Sequence, residues 1–231
     1  MTAETPASNG AGEHLGTAPR RPMRGPSSGE DETGAQAIIA AVDLLAHYWS
    51  RPVIEEVASW AEASDLEVET DRRISSDPLR EPVKLPGLEE APGLLDEYER
   101  LFVGPGQVPC PPYESFWRED VPIDIRRTLM GPCTADLKRL YNAAGLQVSS
   151  NSGELPDHIA VELEAMAYAL SFEETESVAR EIFQEHLAQW LPRLCRAVAH
   201  EAEEDFYRDL AVVTLDWLAA IKGHFATAYT G

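Results

Sequence analysis

Apolar residues recur along this chain with the 3.6-residue period of a helix rather than the two-residue alternation of a strand. Ile38, Val42, Leu45 and Trp49 follow one another at steps of four, three and four, which lines one helix face. Pro52 suits the first turn of a second helix, with Val53, Val57 and Trp60 on its inner side. Residues 64–91 are charged and broken by Pro78, Pro82 and Pro86, so a short helix followed by loop is expected there. The helical period resumes through Leu94, Leu95, Tyr98, Leu101 and Phe102, and Gly104 with Pro105 stops it. Thr134 and Gly145 bracket the next helix as candidate N-cap and C-cap.

Pro156 then stands near the first position of a helix carrying two adjacent stripes. One holds Ile159, Leu163, Met166 and Leu170; the other holds Val161, Ala165, Tyr168 and Phe172. A helix apolar over so wide an arc belongs at the centre of a bundle. The pattern continues through Val178, Ile182, Phe183, Leu187 and Trp190, with Pro192 breaking or restarting it, and ends in a helix over 205–223. Val/Ile alternation is short everywhere, so no strand is expected. Residues 1–33 are small, polar and punctuated by proline, and they lack the apolar content to offset the entropy of ordering, which predicts a disordered tail. The reading is an all-α, single-domain bundle of about seven to nine helices over residues 34–231, with no internal repeat.

Charge changes this picture little. The 231 residues carry a formal charge of −21, which disfavours nucleic acid and anionic membranes and favours basic partners. Lysine is confined to Lys84, Lys138 and Lys222, so the acidity also suits a salt-adapted host. Cys110, Cys133 and Cys195 are odd in number and widely spaced, which points to reduced thiols and away from a zinc site or a disulfide framework. No stretch approaches the apolar length of a membrane span. Arg20 and Arg21 are followed by polar, Gly/Pro/Ser-rich sequence rather than an apolar run, so they do not read as an export signal, and a cytoplasmic location is expected.

Candidate chemistry is sparse. Gly104-Pro105-Gly106 lacks the spacing, the lysine and the preceding strand of a phosphate loop. His158 and Glu162 share a helix face four residues apart, but a zinc protease needs a second His at that place, and the plainer reading is a pair near a helix start, where Asp157 also suits the dipole. Ser115 has no local base, and His186, His200 and His224 are scattered over helices as surface or capping residues. No catalytic residues, metal or cofactor are assigned.

The most unusual stretch is Leu101–Asp120, LFVGPGQVPCPPYESFWRED. Prolines restrict its backbone, so aromatic contacts made from it cost little entropy. Phe116 and Trp117 suit either the core or an interface, whereas Tyr113 and Glu114, beside the Pro111-Pro112 pair, suit a surface role.

Together with ELPDHIAVELEAMAYAL, this stretch resembles the two signatures of the TorD/DmsD/NarJ family of redox-enzyme maturation chaperones. These are a helix ending in E-x-x-x-L-F that leads to G-P and P-P-[WY]-E-S, and later an acid, a D-H pair and an apolar helix. The resemblance covers residues 35–225 and implies a TorD-like all-α fold and no enzymatic activity. It implies a cytoplasmic chaperone that binds the twin-arginine leader, the apo catalytic subunit, or both, of a molybdopterin-dependent oxidoreductase during cofactor insertion and before export or assembly. It further implies a monomer or domain-swapped dimer. Peptide binding is then expected at Tyr113, Glu114, Ser115, Asp157, His158 and Glu162, on a loop scaffold of Gly104, Pro105, Pro111 and Pro112. Tyr113 stands where Trp is common, and Cys110 where a small residue is common. The expected geometry is a groove with this loop and the Asp157 turn as adjacent walls, the leader's arginines meeting Glu114 or Asp157 through forked hydrogen bonds. Two other readings stand beside it: a nucleotide-binding or hydrolysing helical protein, and a NarJ-like assembly factor for a subunit that is not exported.

Overall fold

A helix made apolar on nearly every side can be satisfied only by neighbours on every side, and this requirement organises the bundle. The structure, a computed structural model, describes residues 15–17, 29–53, 91–120, 122, 130–148 and 153–227. At its centre is helix α5 (Ile159–Leu170), of which only Glu164 and Tyr168 are not buried. Helix α1 (Gly29–Trp49) packs along it; of the face that the spacing predicts, Val42, Leu45 and Trp49 are buried and Ile38 is partly buried. The helix expected over Val53–Trp60, and the loop after it, lie outside the described residues beyond position 53.

Helix α2 (Ala91–Tyr98) runs into a π-helical turn (Glu99–Val103) that buries Leu101 and Phe102. Phe102 sits among the rings of Trp49, Tyr98 and Tyr207, at centroid distances of 5.9, 5.0 and 5.6 Å. Gly104 ends the turn, donating its N–H to Glu99 O at 2.7 Å. Its φ of +101° and ψ of 176° belong to a region essentially reserved for glycine. An added Cβ would also meet Gly106 N at 3.3 Å. Gly104→Ala is therefore expected to lower stability by about 1–3 kcal/mol in urea unfolding. An unchanged midpoint would mean that the turn relaxes freely.

After the short helix α3 (Glu114–Trp117), helix α4 (Pro132–Ala143) starts one turn earlier than expected. Gly131 is its N-cap and Pro132 its first residue, whereas Thr134 lies inside the helix and is buried. The C-cap is Ala144 rather than Gly145, which follows it with φ +78°. The expectation of no strand is corrected in one place. Leu146–Val148 (β2) pairs antiparallel with Leu15–Thr17 (β1), in the register Leu15↔Val148, Gly16↔Gln147, Thr17↔Leu146. Both are three residues long, too short to show as alternation, and β1 lies within the stretch expected to be disordered.

Helix α6 (Glu176–Glu181) passes through a second π-helical turn (Ile182–Leu187) into α7 (Ala188–Glu201). Pro192 neither breaks nor restarts α7 but lies within it. Helix α8 (Asp205–Thr227) returns along α7 and buries Phe206, Leu210, Val213, Trp217 and Ile221, as its spacing predicts. The start of α8 is held by a distant acid. The Glu97 carboxylate accepts the N–H groups of Glu203 at 2.6 Å and Glu204 at 3.3 Å, and takes a two-pronged bond from Arg100 at 2.6 and 2.8 Å. Burial works against the Glu97 charge, but these donors win and hold its carboxyl below the usual range. Glu97 is the acid of the E-x-x-x-L-F pattern, so that motif ties α2 to the last hairpin. The all-α class read from the sequence stands, with one two-stranded ribbon added.

Candidate functional site at the Pro-Pro-Tyr-Glu-Ser corner

Every helix start leaves backbone N–H groups without an internal acceptor, and α5 begins in the interior, where water cannot supply one. The proline loop provides the missing acceptor. Ile159, the first residue of α5, donates its N–H to Pro112 O at 3.0 Å, and Ala160 donates to His158 Nδ1 at 3.2 Å. In return Glu114 donates its N–H to Asp157 O at 2.9 Å, so residues 112–114 and 157–159 form a miniature antiparallel bridge centred on Tyr113 and His158. The two signature segments, more than forty residues apart, are thus one corner.

Side chains lock the bridge. The Asp157 carboxylate accepts from the Ser115 N–H at 3.4 Å through one oxygen and from the Thr134 hydroxyl at 3.2 Å through the other. Tyr141 donates its hydroxyl to Pro156 O at 2.7 Å, joining α4 to the same turn. Trp117 folds back to donate to Pro111 O at 2.7 Å and packs against the core. The loop itself is pinned upstream by Cys110 N–H on Leu101 O at 2.9 Å. The prolines and aromatics thus build a self-bracing acceptor for α5, with Gly104 and Pro105 setting its departure from the π-helical turn.

Beneath the bridge lies a buried ionic knot. Glu114 has no solvent exposure; it takes a hydrogen bond from Arg118 at 2.5 Å and faces His186 Nδ1 at 2.9–3.0 Å. Arg118 also pairs with Asp120 and donates to Glu185 O at 2.7 Å. The Asp120 partner does most to raise the Arg118 guanidinium further above its already high range. His186 Nε2 lies 3.4 Å from Asp136 Oδ2 without hydrogen-bond geometry. Deeper still, Glu162 is fully buried, accepts from the Trp190 indole at 3.2 Å through Oε2, and has no hydrogen-bond partner at Oε1. Burial, reinforced by the charge of Glu114, pushes its carboxyl well above the usual range.

The six expected peptide-binding residues are therefore brought together, but they differ in access. Glu114, Asp157, His158 and Glu162 are at most 1% exposed, and Ser115 is 7% exposed. The carboxylates expected to meet a leader's arginines are engaged inside the fold. The His158 side chain caps α5, its Nε2 lies 3.8 Å from Glu154, and its carbonyl accepts the Glu162 N–H at 3.0 Å. Tyr113 is half-buried, with its ring edge-on to His158 at 5.3 Å and its hydroxyl 3.4 Å from Glu154 Oε2. Burial, then the Glu154 charge, pushes the Tyr113 hydroxyl up to about 12, and burial raises the Glu154 carboxyl.

Sequence reasoning missed Arg118, Thr134, Glu154, His186 and Trp190 as parts of this corner. His186, expected as a surface or capping residue, is buried, placed by the second π-helical turn 72 residues from Glu114. The three cysteines are free and buried, and burial pushes the thiols of Cys110 and Cys133 up to about 12, away from nucleophilic use. Among the described residues no helix is long and apolar enough to cross a membrane.

An all-α bundle whose central helix is started by a Pro-Pro-Tyr-Glu-Ser loop defines a recognisable class. The family model described as nitrate reductase delta subunit matches residues 75–196, just over half of the chain, and the chain belongs to this family, the TorD/DmsD/NarJ family that its two segments resemble. Among curated relatives, the Tat proofreading chaperone DmsD of Salmonella typhi is 29% identical over 132 residues, 55% of this chain and 62% of its own length. The probable Tat proofreading chaperone DmsD of Haemophilus influenzae is 24% identical over 132 residues, 57% of this chain and 61% of its own length. The chain thus spans about three fifths of the length of these relatives.

Proposed function

We propose that this protein is a cytoplasmic chaperone, not an enzyme, that binds the precursor of a molybdopterin-dependent oxidoreductase during cofactor insertion and before export or assembly. The observation that carries the reading is the corner itself. The two family segments meet residue for residue across the 112–114/157–159 bridge, in a chain whose relatives are named Tat proofreading chaperones. The ligand is the twin-arginine leader, the apo catalytic subunit, or both together.

Within this reading the six residues divide their work. Tyr113 offers the partly exposed aromatic surface, with Glu154 beside its hydroxyl. Glu114, Ser115, Asp157, His158 and Glu162 act through it, by fixing the corner's shape so that little ordering cost remains when a peptide docks. The name of the matched family, nitrate reductase delta subunit, favours a second reading in which the body of the client subunit is the main ligand. The protein acts as a monomer or as a domain-swapped dimer.

Calorimetry with the twin-arginine leader of a molybdopterin-dependent oxidoreductase subunit from the same organism tests the reading. Binding in the micromolar range is expected, with a loss of about tenfold or more when both arginines become lysine, because lysine cannot reproduce a forked hydrogen bond. Equal binding of both peptides would remove the arginine pair from the account. If neither peptide binds but the apo subunit does, the second reading holds instead.

A further inference from the structure

We propose that His186 is a proton-operated latch: on taking a second ring proton it bridges Glu114 of the corner to Asp136 of α4, and so closes a chain of alternating charge that runs through the molecule. The inference concerns the fold of the corner and stands whether or not the chaperone reading does.

The chain can be followed from one surface to another. Asp120, which is exposed, pairs with Arg118, and Arg118 donates to Glu114 at 2.5 Å. Glu114 faces His186 Nδ1 at 2.9–3.0 Å, and His186 Nε2 lies 3.4 Å from Asp136 Oδ2. Asp136 Oδ1 accepts from Arg139 at 2.9 Å, and the exposed Arg139 donates its other arm to Glu181 at 2.6 Å. Each of these links is a hydrogen bond except that between His186 and Asp136. The signs alternate along the whole chain only when the His186 ring is positive, and then every neighbour attracts the next.

The geometry at the open link shows what closes it. Glu114 offers His186 only lone pairs, so Nδ1 carries the first ring proton. Nε2 of the neutral ring is then a buried lone pair with no hydrogen-bond partner, set against a carboxylate oxygen. An acceptor facing an acceptor makes no bond, whereas a second ring proton turns the same contact into a charge-assisted hydrogen bond. Asp136 is already placed to receive it, because Arg139 occupies Oδ1 and leaves Oδ2 toward the ring. Histidine is the side chain whose ordinary charge change falls near neutral pH.

The latch acts on the corner through α4. That helix already holds the Asp157 turn at two points, through Thr134 on the Asp157 carboxylate and Tyr141 on Pro156 O. The closed latch adds a third tie, from Asp136 through His186 to Glu114. The π-helical turn that carries His186 is the kind of helix irregularity that recurs at functional sites. The other ionisable groups around it are already engaged or lie beyond Glu114. Arg118 meets Glu114 from its own helix, while Glu162 on α5, with Cys133 and Tyr141 on α4, feels the Glu114 charge. Glu181 on α6 is taken by Arg139, Arg193 on α7 by Glu119, and the exposed Glu185 gives its carbonyl to Arg118.

A double-mutant cycle of His186→Asn and Asp136→Asn in the full-length chain tests the latch. Urea unfolding is followed in an acidic and an alkaline buffer, on either side of the range in which histidine changes charge. His186→Asn keeps a side-chain N–H for Glu114 and lacks any atom in the place of Nε2. The cycle cancels the Arg139 bond that Asp136→Asn also disturbs. The expected coupling is about fivefold in the folding equilibrium constant in the acidic buffer, and none in the alkaline one. Nitrogen–proton NMR spectra of the unaltered chain should show Nδ1 protonated in both buffers. Nε2 should be protonated in the acidic buffer alone, with its exchange slowed by a hydrogen bond that Asp136→Asn removes. Coupling that is absent in both buffers, equal in both, or greater in the alkaline one would overturn the proposal. So would a neutral ring that keeps its proton on Nε2. Should His186→Asn fail to fold, the spectra of the unaltered chain and of Asp136→Asn decide by themselves. No peptide enters these measurements, so their outcome and that of the calorimetry are independent.

Discussion

Arg118→Ala should destabilise the bundle by about 3–5 kcal/mol, the usual consequence of removing one partner from a buried ion pair. The figure applies because neither member is exposed enough for water to screen the loss: the side chain of Arg118 is 13% exposed and that of Glu114 is 0%. The variant leaves a fully buried carboxylate facing the His186 ring, and also deletes the pairing with Asp120 and the bond to Glu185 O, which ties the end of α3 to the π-helical turn before α7. Urea unfolding followed by far-ultraviolet dichroism measures the change. The companion variant Glu114→Gln keeps the shape and removes the charge, so it should cost less than Arg118→Ala. The reverse order would mean that Glu114 is not held by Arg118 in the folded state.

The second large effect concerns Glu162 and depends on pH. The folded chain keeps the Glu162 proton at pH values where the unfolded chain has released it, because burial disfavours the charged form. Folding therefore takes up a proton in the window between the ordinary carboxylate value of about 4.3 and the raised folded value. Stability is fully present below that window and falls as pH rises through it, by up to about 1.4 kcal/mol per pH unit. Glu162→Gln cannot ionise, and its amide carbonyl can still accept the Trp190 indole N–H. The variant should match the parent near pH 4 and exceed it as pH rises above the ordinary carboxylate range. Parallel stability–pH curves would contradict this account of Glu162.

How much of the molecule was legible in the sequence follows from how local each signal is. The helical faces of α1, α5 and α8 could be read because periodicity is a property of one segment, and their burial follows it. The Pro-Pro-Tyr-Glu-Ser and Asp-His segments could be selected because their residue order is unusual. What they do could not be read from that order. Ile159 needing Pro112 O, or Glu114 needing His186, are pairings across long sequence separations that no local pattern encodes. The same limit explains why a charged residue such as Glu114 or Asp157 looked like a surface ligand: composition gives its charge, and only packing gives its burial. Strands β1 and β2 escaped because three residues are too few to establish alternation. Glu97 escaped as a functional feature of its motif because the two N–H groups it holds are more than one hundred residues away.

The central claim is that a client peptide docks on the corner formed by the Pro-Pro-Tyr-Glu-Ser loop and the start of α5. Hydrogen-exchange mass spectrometry of the full chain, with and without the twin-arginine leader, tests it most directly. Slowed exchange is expected in segments 111–116 and 153–160, with α8 unchanged. Saturating leader that leaves both segments unprotected, or protects only helices remote from them, would contradict it.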